Sequence, residues 1–195
     1  MARTSDDTRQ RLLVAARSVF ANRGYEGASV ATIAFRARVT KPALYYHFGS
    51  KSGLHEALVT DTLDTRYRLM CDAAARGTSL EEKLTAVLDA CFRHAHENRE
   101  GARICFAALF AAPGEVPHRA RFMQKGKRNF GFVRDLIRQG IRDGELPRNA
   151  NTRELASALY SRVVSNSLAH VLHAQAPRPA NARAAVRLFL EGARA

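Results

Sequence analysis

Residues 29–48 read SVATIAFRARVTKPALYYHF, and this stretch decides the fold. Ser29 is a natural N-cap ahead of a short run to Ala37, in which Val30, Ile33 and Ala34 recur at helical spacing. Thr40 can cap a second short run, and Pro42 falls in its first turn, where a missing backbone N–H costs little. Arg38-Val39 makes the turn between them. Upstream, Leu12, Leu13, Ala16, Val19 and Phe20 form one face of a longer helix over Asp6 to Arg23, which Gly24 stops. A long helix followed by two short ones joined at a tight turn is the helix-turn-helix plan. Its second short helix enters the DNA major groove with its N-terminal residues on base edges.

The chemistry of the second short helix agrees with that plan. Leu44 and Phe48 lie four residues apart and can face a core, which spreads Lys41, Ala43, Tyr45, Tyr46 and His47 over the remaining surface. Hydroxyls and imidazoles suit phosphate oxygens or base acceptors, Lys41 adds a cation, and Ala43 is small enough to touch a thymine methyl. Lys51 opens the next helix, where free backbone amides and the helix dipole already favour an anion, so it reads as a phosphate anchor. Ser29 offers a second phosphate contact at the start of its own helix. The expected DNA contacts are therefore Ser29, Thr40, Lys41, Pro42, Ala43, Tyr45, Tyr46, His47 and Lys51. A merely solvated helix gives no reason for two tyrosines beside a histidine and a lysine.

Charge points the same way. The 195 residues carry a net +13, which calls for a polyanionic partner or an anionic ligand. Residues 1–55 hold nine Lys and Arg against three acids, a net +6, so the first quarter is more than twice as basic per residue as the rest. The start, from Met1 to Asp7, has no apolar stretch of the kind a signal peptide needs. The longest uncharged run, Val163 to Pro177, is 15 residues and partly polar, short of the roughly 20 apolar residues of a spanning helix. Cys71, Cys91 and Cys105 are odd in number and match no zinc or CxxC spacing, which fits a reduced cytoplasm.

The remaining chain also reads as helix, about nine in all, so the expected class is all-α. Ser50 can cap a fourth helix running to about Arg76-Gly77. Ser79-Leu80-Glu81-Glu82 is a capping box for a fifth, with Leu84, Val87, Leu88, Cys91 and Phe92 on one face. A sixth covers Arg99 to Ala112, and a break over Pro113 to Pro117 precedes a seventh to Arg142. Asn151 with Glu154 starts an eighth to about His173. Ala176 to Pro179 breaks it, and a ninth fills Ala180 to Arg194.

Taken together, Gly24 to Ser29, Ile33-Ala34, Ala37 to Thr40, Leu44 to Phe48 and Lys51 to Leu54 resemble the TetR/AcrR family of bacterial transcriptional regulators. The resemblance covers about residues 8–58. It departs at Arg38, where the family pattern has a glycine that eases the turn. What the resemblance implies is a homodimer on double-stranded operator DNA. Its head would be residues 1–50, and residues 51–195 would bind a small-molecule effector and pair through the last two helices. Most members repress and are released from DNA by their ligand.

For the effector, the middle helices offer Phe92, His96, Phe106, Phe110, Phe122, Phe130, Tyr160, Asn166 and His170. Phenylalanines at helical spacing also make ordinary core, whereas Asn166 and His170 are polar and four apart in a largely uncharged helix. The basic stretch from Arg119 to Arg142 reads either as a solvated face or as an anion site through Arg119, Arg121 or Arg128. No glycine-rich phosphate loop or nucleophile elbow occurs, and His96-Glu97-Asn98-Arg99-Glu100 lacks the second histidine of a zinc protease. Neither an enzyme nor a cofactor or resident metal is expected.

Overall fold

Helix starts follow the side chains able to satisfy the free amides of a first turn. The computed structural model describes residues 5–112, 114–173 and 181–194. Among these are nine helices and no strand: α1 (Ser5–Arg23), α2 (Val30–Ala37), α3 (Lys41–Phe48), α4 (Lys51–Ala74), α5 (Leu80–Glu97), α6 (Arg99–Phe110), α7 (Arg119–Arg142), α8 (Thr152–Leu172) and α9 (Ala182–Arg194). Ser29, Thr40, Ser50 and Asn151 each accept an amide hydrogen bond from the first turn they precede. The Ser79–Glu82 capping box closes in both directions.

Two ends fall earlier than the sequence reading sets them. α4 stops at Ala74, because the amides of Arg76 and Gly77 turn back to carbonyls three residues behind and tighten the chain into a turn. α6 stops at Phe110, two residues before Ala112. α9 begins at Ala182, with Asn181 accepting from the Ala184 amide at 3.0 Å. Met1 to Thr4, Pro113, the break at Ala176 to Pro179 and Ala180 lie outside the described residues.

The chain divides into two compact units, residues 1–62 with 100–123, and residues 63–99 with 124–195. In the first, Leu12, Ala16, Val19, Phe20, Ile33, Ala34, Leu44, Leu54 and Leu58 are buried, so one core holds α1, α2, α3 and the start of α4. In the second, the periodic face of α5 meets Val133 and Ile137 of α7, Ala156, Leu159 and Val163 of α8, and Val186 and Leu190 of α9. Each such leucine or valine contributes about 1.5–3 kcal/mol of burial relative to exposure.

Two details fix the start of α5 in that unit. A Cβ at Gly140 would fall 2.4 Å from Leu80 Cδ2, so only glycine lets α7 come this close. Five residues on from Gly140, past the turn that Gly144 makes at φ +78°, the Glu145 carboxylate accepts from the Leu80 amide at 2.8 and 2.9 Å.

Candidate nucleic-acid interface

The two short helices are held at their turn by α1. Arg38 ends α2 in the left-handed region, at φ 52° and ψ 47°. Its amide bonds to Phe35 O and the Val39 amide to Ala34 O, both at 3.0 Å, which closes the helix end. Arg11 of α1 donates through Nη2 to Arg38 O at 3.1 Å and also to Ala37 O. A guanidinium thus takes the carbonyls that α2 leaves open and fixes where α3 begins.

That placement decides which side chains of α3 meet solvent. Leu44 is fully buried in the head core, and Phe48 is half-buried beneath the Arg9 guanidinium, 5.4 Å from its ring centre. Lys41, Pro42, Tyr45 and Tyr46 are exposed, Tyr46 by 82%, with Ala43 and His47 half-exposed beside them. The His47 ring meets Tyr46 edge-on at 5.1 Å, so the aromatic surface is ordered by its own contacts. Ser29 and Thr40 stand at the two helix starts. The Ser29 hydroxyl is also paired with that of Thr32 at 2.8 Å.

Lys51 is held differently from a simple surface anchor. Its Nζ donates to Tyr25 O at 3.1 Å and lies 4.4 Å from the centre of the Tyr25 ring. Tyr25 was not singled out from sequence. Its own partner is His55, edge-on at 5.1 Å, and His55 meets Phe20 in the same way at 5.0 Å. Burial, then the charges of His118 and Lys51, push the His55 imidazole down to about 4, so it is neutral at pH 7. Phe35, 83% exposed on α2, is a second surface feature that periodicity did not mark.

The expected effector residues are distributed over both units. In the first, Phe106 stacks on Phe110 at 6.1 Å, Phe110 is 72% exposed, and Phe122 lines a small cavity with His55, Glu56, Val59, Ala108 and His118. That cavity holds about 10 Å³, the room of one water. In the second, Phe92 is packed into the apolar core. Phe130 meets Tyr160 edge-on at 5.8 Å, and His96 meets His170 at 5.4 Å. Asn166 keeps a buried Oδ1 with no hydrogen-bond partner. The basic stretch is largely spent on protein partners. Arg121 pairs with Glu56, Lys125 and Arg128 share Asp64 at 2.7 Å, and Arg119 donates to Ala111 O and Leu109 O.

Residues 12–58 match the bacterial regulatory proteins of the tetR family, and residues 77–168 match the tetracyclin repressor-like C-terminal domain. The chain belongs to the TetR family. This TetR-family chain is 37% identical over 111 residues to the transcriptional activator FasR of Mycolicibacterium smegmatis, covering 57% of this chain and 51% of FasR. It is 31% identical over 139 residues to the transcriptional repressor KstR2 of the same organism, covering 70% of this chain and 66% of KstR2. The match therefore spans about half to two thirds of the length of these relatives. The regulator FadR of Bacillus subtilis, solved in complex with stearoyl-CoA, superposes with a TM-score of 0.76 over 95% of this chain and 97% of its own, at 18% identity. At that identity the likeness is one of fold. All three carry the names of transcriptional regulators. Among the described residues, no helix is long and apolar enough to cross a membrane.

Proposed function

We propose that this chain is a cytoplasmic transcriptional regulator. On this reading residues 1–50 bind double-stranded operator DNA, and residues 51–195 bind a small-molecule effector and form a homodimer. The observation that carries it is the exposed face of α3, with Lys41, Tyr45 and Tyr46 outward while Leu44 locks the helix into the head. Ser29, Thr40, Pro42, Ala43 and His47 flank that face and complete the contact set, and Lys51 approaches a phosphate from the start of α4.

Pairing through α8 and α9 is supported by what those helices leave exposed. Ser157, Ala158, Ser161, Val164, Ser165 and Leu172 follow one stripe along α8, and Leu188 and Gly192 continue such a stripe on α9. Small residues with a few large apolar ones permit close helix approach, and two heads then read half-sites about 34–36 Å apart. For the effector, the polar pair Asn166 and His170, with His96, Phe130 and Tyr160, offers orienting groups beside apolar walls.

Repression relieved by the effector is the reading favoured by the repressor KstR2, which matches more of this chain than FasR does. The activator FasR supports the second reading, in which the bound dimer recruits polymerase. In either case the signal has a physical route inside the first unit. His55 of α4 touches Phe20 and Tyr25, and it lines the small cavity with Ala108 of α6 and Phe122 of α7. A shift of α6 or of the start of α7 therefore bears on the residue that holds Lys51.

The test is selection of duplexes from a random-sequence library by the full chain. An enriched inverted repeat, with half-sites one helical turn or a multiple apart, is expected. Tyr46→Ala and Lys41→Ala should abolish the enrichment while leaving the circular dichroism spectrum intact. Recovery of no sequence above background refutes the assignment. A promoter-fusion measurement with the selected site then gives the sign of regulation.

A further inference from the structure

The second half of α4 is buried along Leu63, Arg66, Met70 and Ala73-Ala74, a spacing of three and four that marks the inward stripe of a helix. Arg66 therefore stands where the pattern calls for an apolar residue, and only 7% of it is exposed. Its Nε is sealed from solvent with no hydrogen-bond partner. Among the described residues no carboxylate lies within ion-pair distance of its guanidinium. Asp64 is two positions away, on another face of the helix, and is already shared by Lys125 and Arg128. The neighbour on α5 whose electrostatics Arg66 influences is Cys91. Burial pushes that thiol up to about 11, so it is neutral and supplies no counter-charge. Cys91 and Met70 belong to the apolar cluster that also holds Leu88 and Phe92.

Arginine cannot escape burial by losing its proton, as a lysine can. A buried, unmatched guanidinium is strongly destabilising, and a carboxylate meeting its planar fork in a dry site reverses that penalty. We infer that Arg66 is the recognition residue of an internal site for a monocarboxylic acid with an apolar body, which gives the proposed effector a chemical class and rests on that proposal. One guanidinium matches one negative charge. A coenzyme A thioester would bring several phosphates, whereas Arg119, Arg121, Lys125 and Arg128 are already held by Glu56, Asp64 and backbone carbonyls. The apolar cluster to which Cys91 and Met70 belong suits a hydrocarbon or aromatic remainder.

The experiment measures thermal unfolding of the full chain at fixed protein concentration, in wild type and Arg66→Met. The probes are benzoate, decanoate and hexadecanoate, each beside its methyl ester, with hexadecanoyl-CoA as the polyanion. At least one acid should raise the wild-type Tm saturably while its ester does not. Arg66→Met, which keeps apolar volume and removes the unmatched charge, should be more stable than wild type without ligand. It should bind the same acid at least about 30-fold more weakly. The inference is overturned if no acid exceeds its ester, if hexadecanoyl-CoA binds as tightly as hexadecanoate, or if Arg66→Met binds acid like wild type. An Arg66→Met chain that is less stable or fails to fold also overturns it, because the charge then serves the fold. Binding to the selected DNA separates this inference from the broader one. An acid that binds through Arg66 without changing DNA affinity supports the site and refutes effector control. Release from DNA by a probe that acts equally on Arg66→Met refutes the site and leaves effector control standing.

Discussion

Replacing Arg38 by glycine should stabilise this protein, although it removes a charged side chain from the proposed DNA-binding head. Arg38 sits at φ 52° and ψ 47°, where an L-residue with a Cβ is disfavoured by roughly 1–2 kcal/mol. Glycine relieves that strain but is freer in the unfolded chain, which returns about 0.5–1 kcal/mol. The net expectation is a gain of about 0.5–1 kcal/mol. The carbonyl that Arg11 holds at 3.1 Å belongs to the backbone, so the brace survives the substitution. Urea unfolding at one fixed protein concentration measures the effect, since a dimer's stability depends on concentration. Arg38→Ala is the control, because it removes the same side chain and keeps the strained backbone. The order should be Gly above wild type, with Ala at or below wild type. If Arg38→Gly is no more stable than Arg38→Ala, the left-handed turn carries no strain and the reasoning is wrong. Should both variants lose DNA affinity equally, the lost contact is the guanidinium and not the turn.

Gly140→Ala places a methyl 2.4 Å from Leu80 Cδ2 and should cost about 1–3 kcal/mol, read as a lowered urea midpoint; the double variant with Leu80→Ala should recover part of it. Lys51→Met should weaken binding to the selected duplex about uniformly across sequences, and should flatten the salt dependence by about one unit per subunit. The His55 imidazole titrates at about 4 when folded, against 6.5 when unfolded, so its contribution is full above pH 6.5 and is lost as pH falls toward 4. His55→Phe keeps a ring between Phe20 and Tyr25 and should flatten that acid limb by up to about 3 kcal/mol, which denaturant titrations at pH 7 and pH 4.5 compare.

The helices were legible because their signals are local. Ser29, Thr40, Ser50, Ser79 with Glu82, and Asn151 each act within three or four residues. The face of α5 repeats at helical spacing, and all five residues read from it are buried. What escaped the sequence depends on partners far along the chain. Lys51 reads as an exposed anchor until Tyr25, 26 residues away, is seen beneath it. The cations of 119–128 read as one basic face, yet Glu56 and Asp64, more than 60 residues distant, neutralise three of them. Aromatic spacing likewise does not distinguish the packed Phe92 from the exposed Phe110. Arg66 did leave a trace, a charge at an inward position of α4, but only burial shows that it faces no compensating acid.

The meeting of Leu80 with Gly140, and of its amide with Glu145, has an evolutionary consequence. Positions 80, 140 and 145 form one inherited unit, since volume added at 140 has to be removed at 80 for the glutamate to reach its amide. Descendants of this sequence should therefore change the three sites in concert, while the surfaces that read DNA or bind an effector diverge around them.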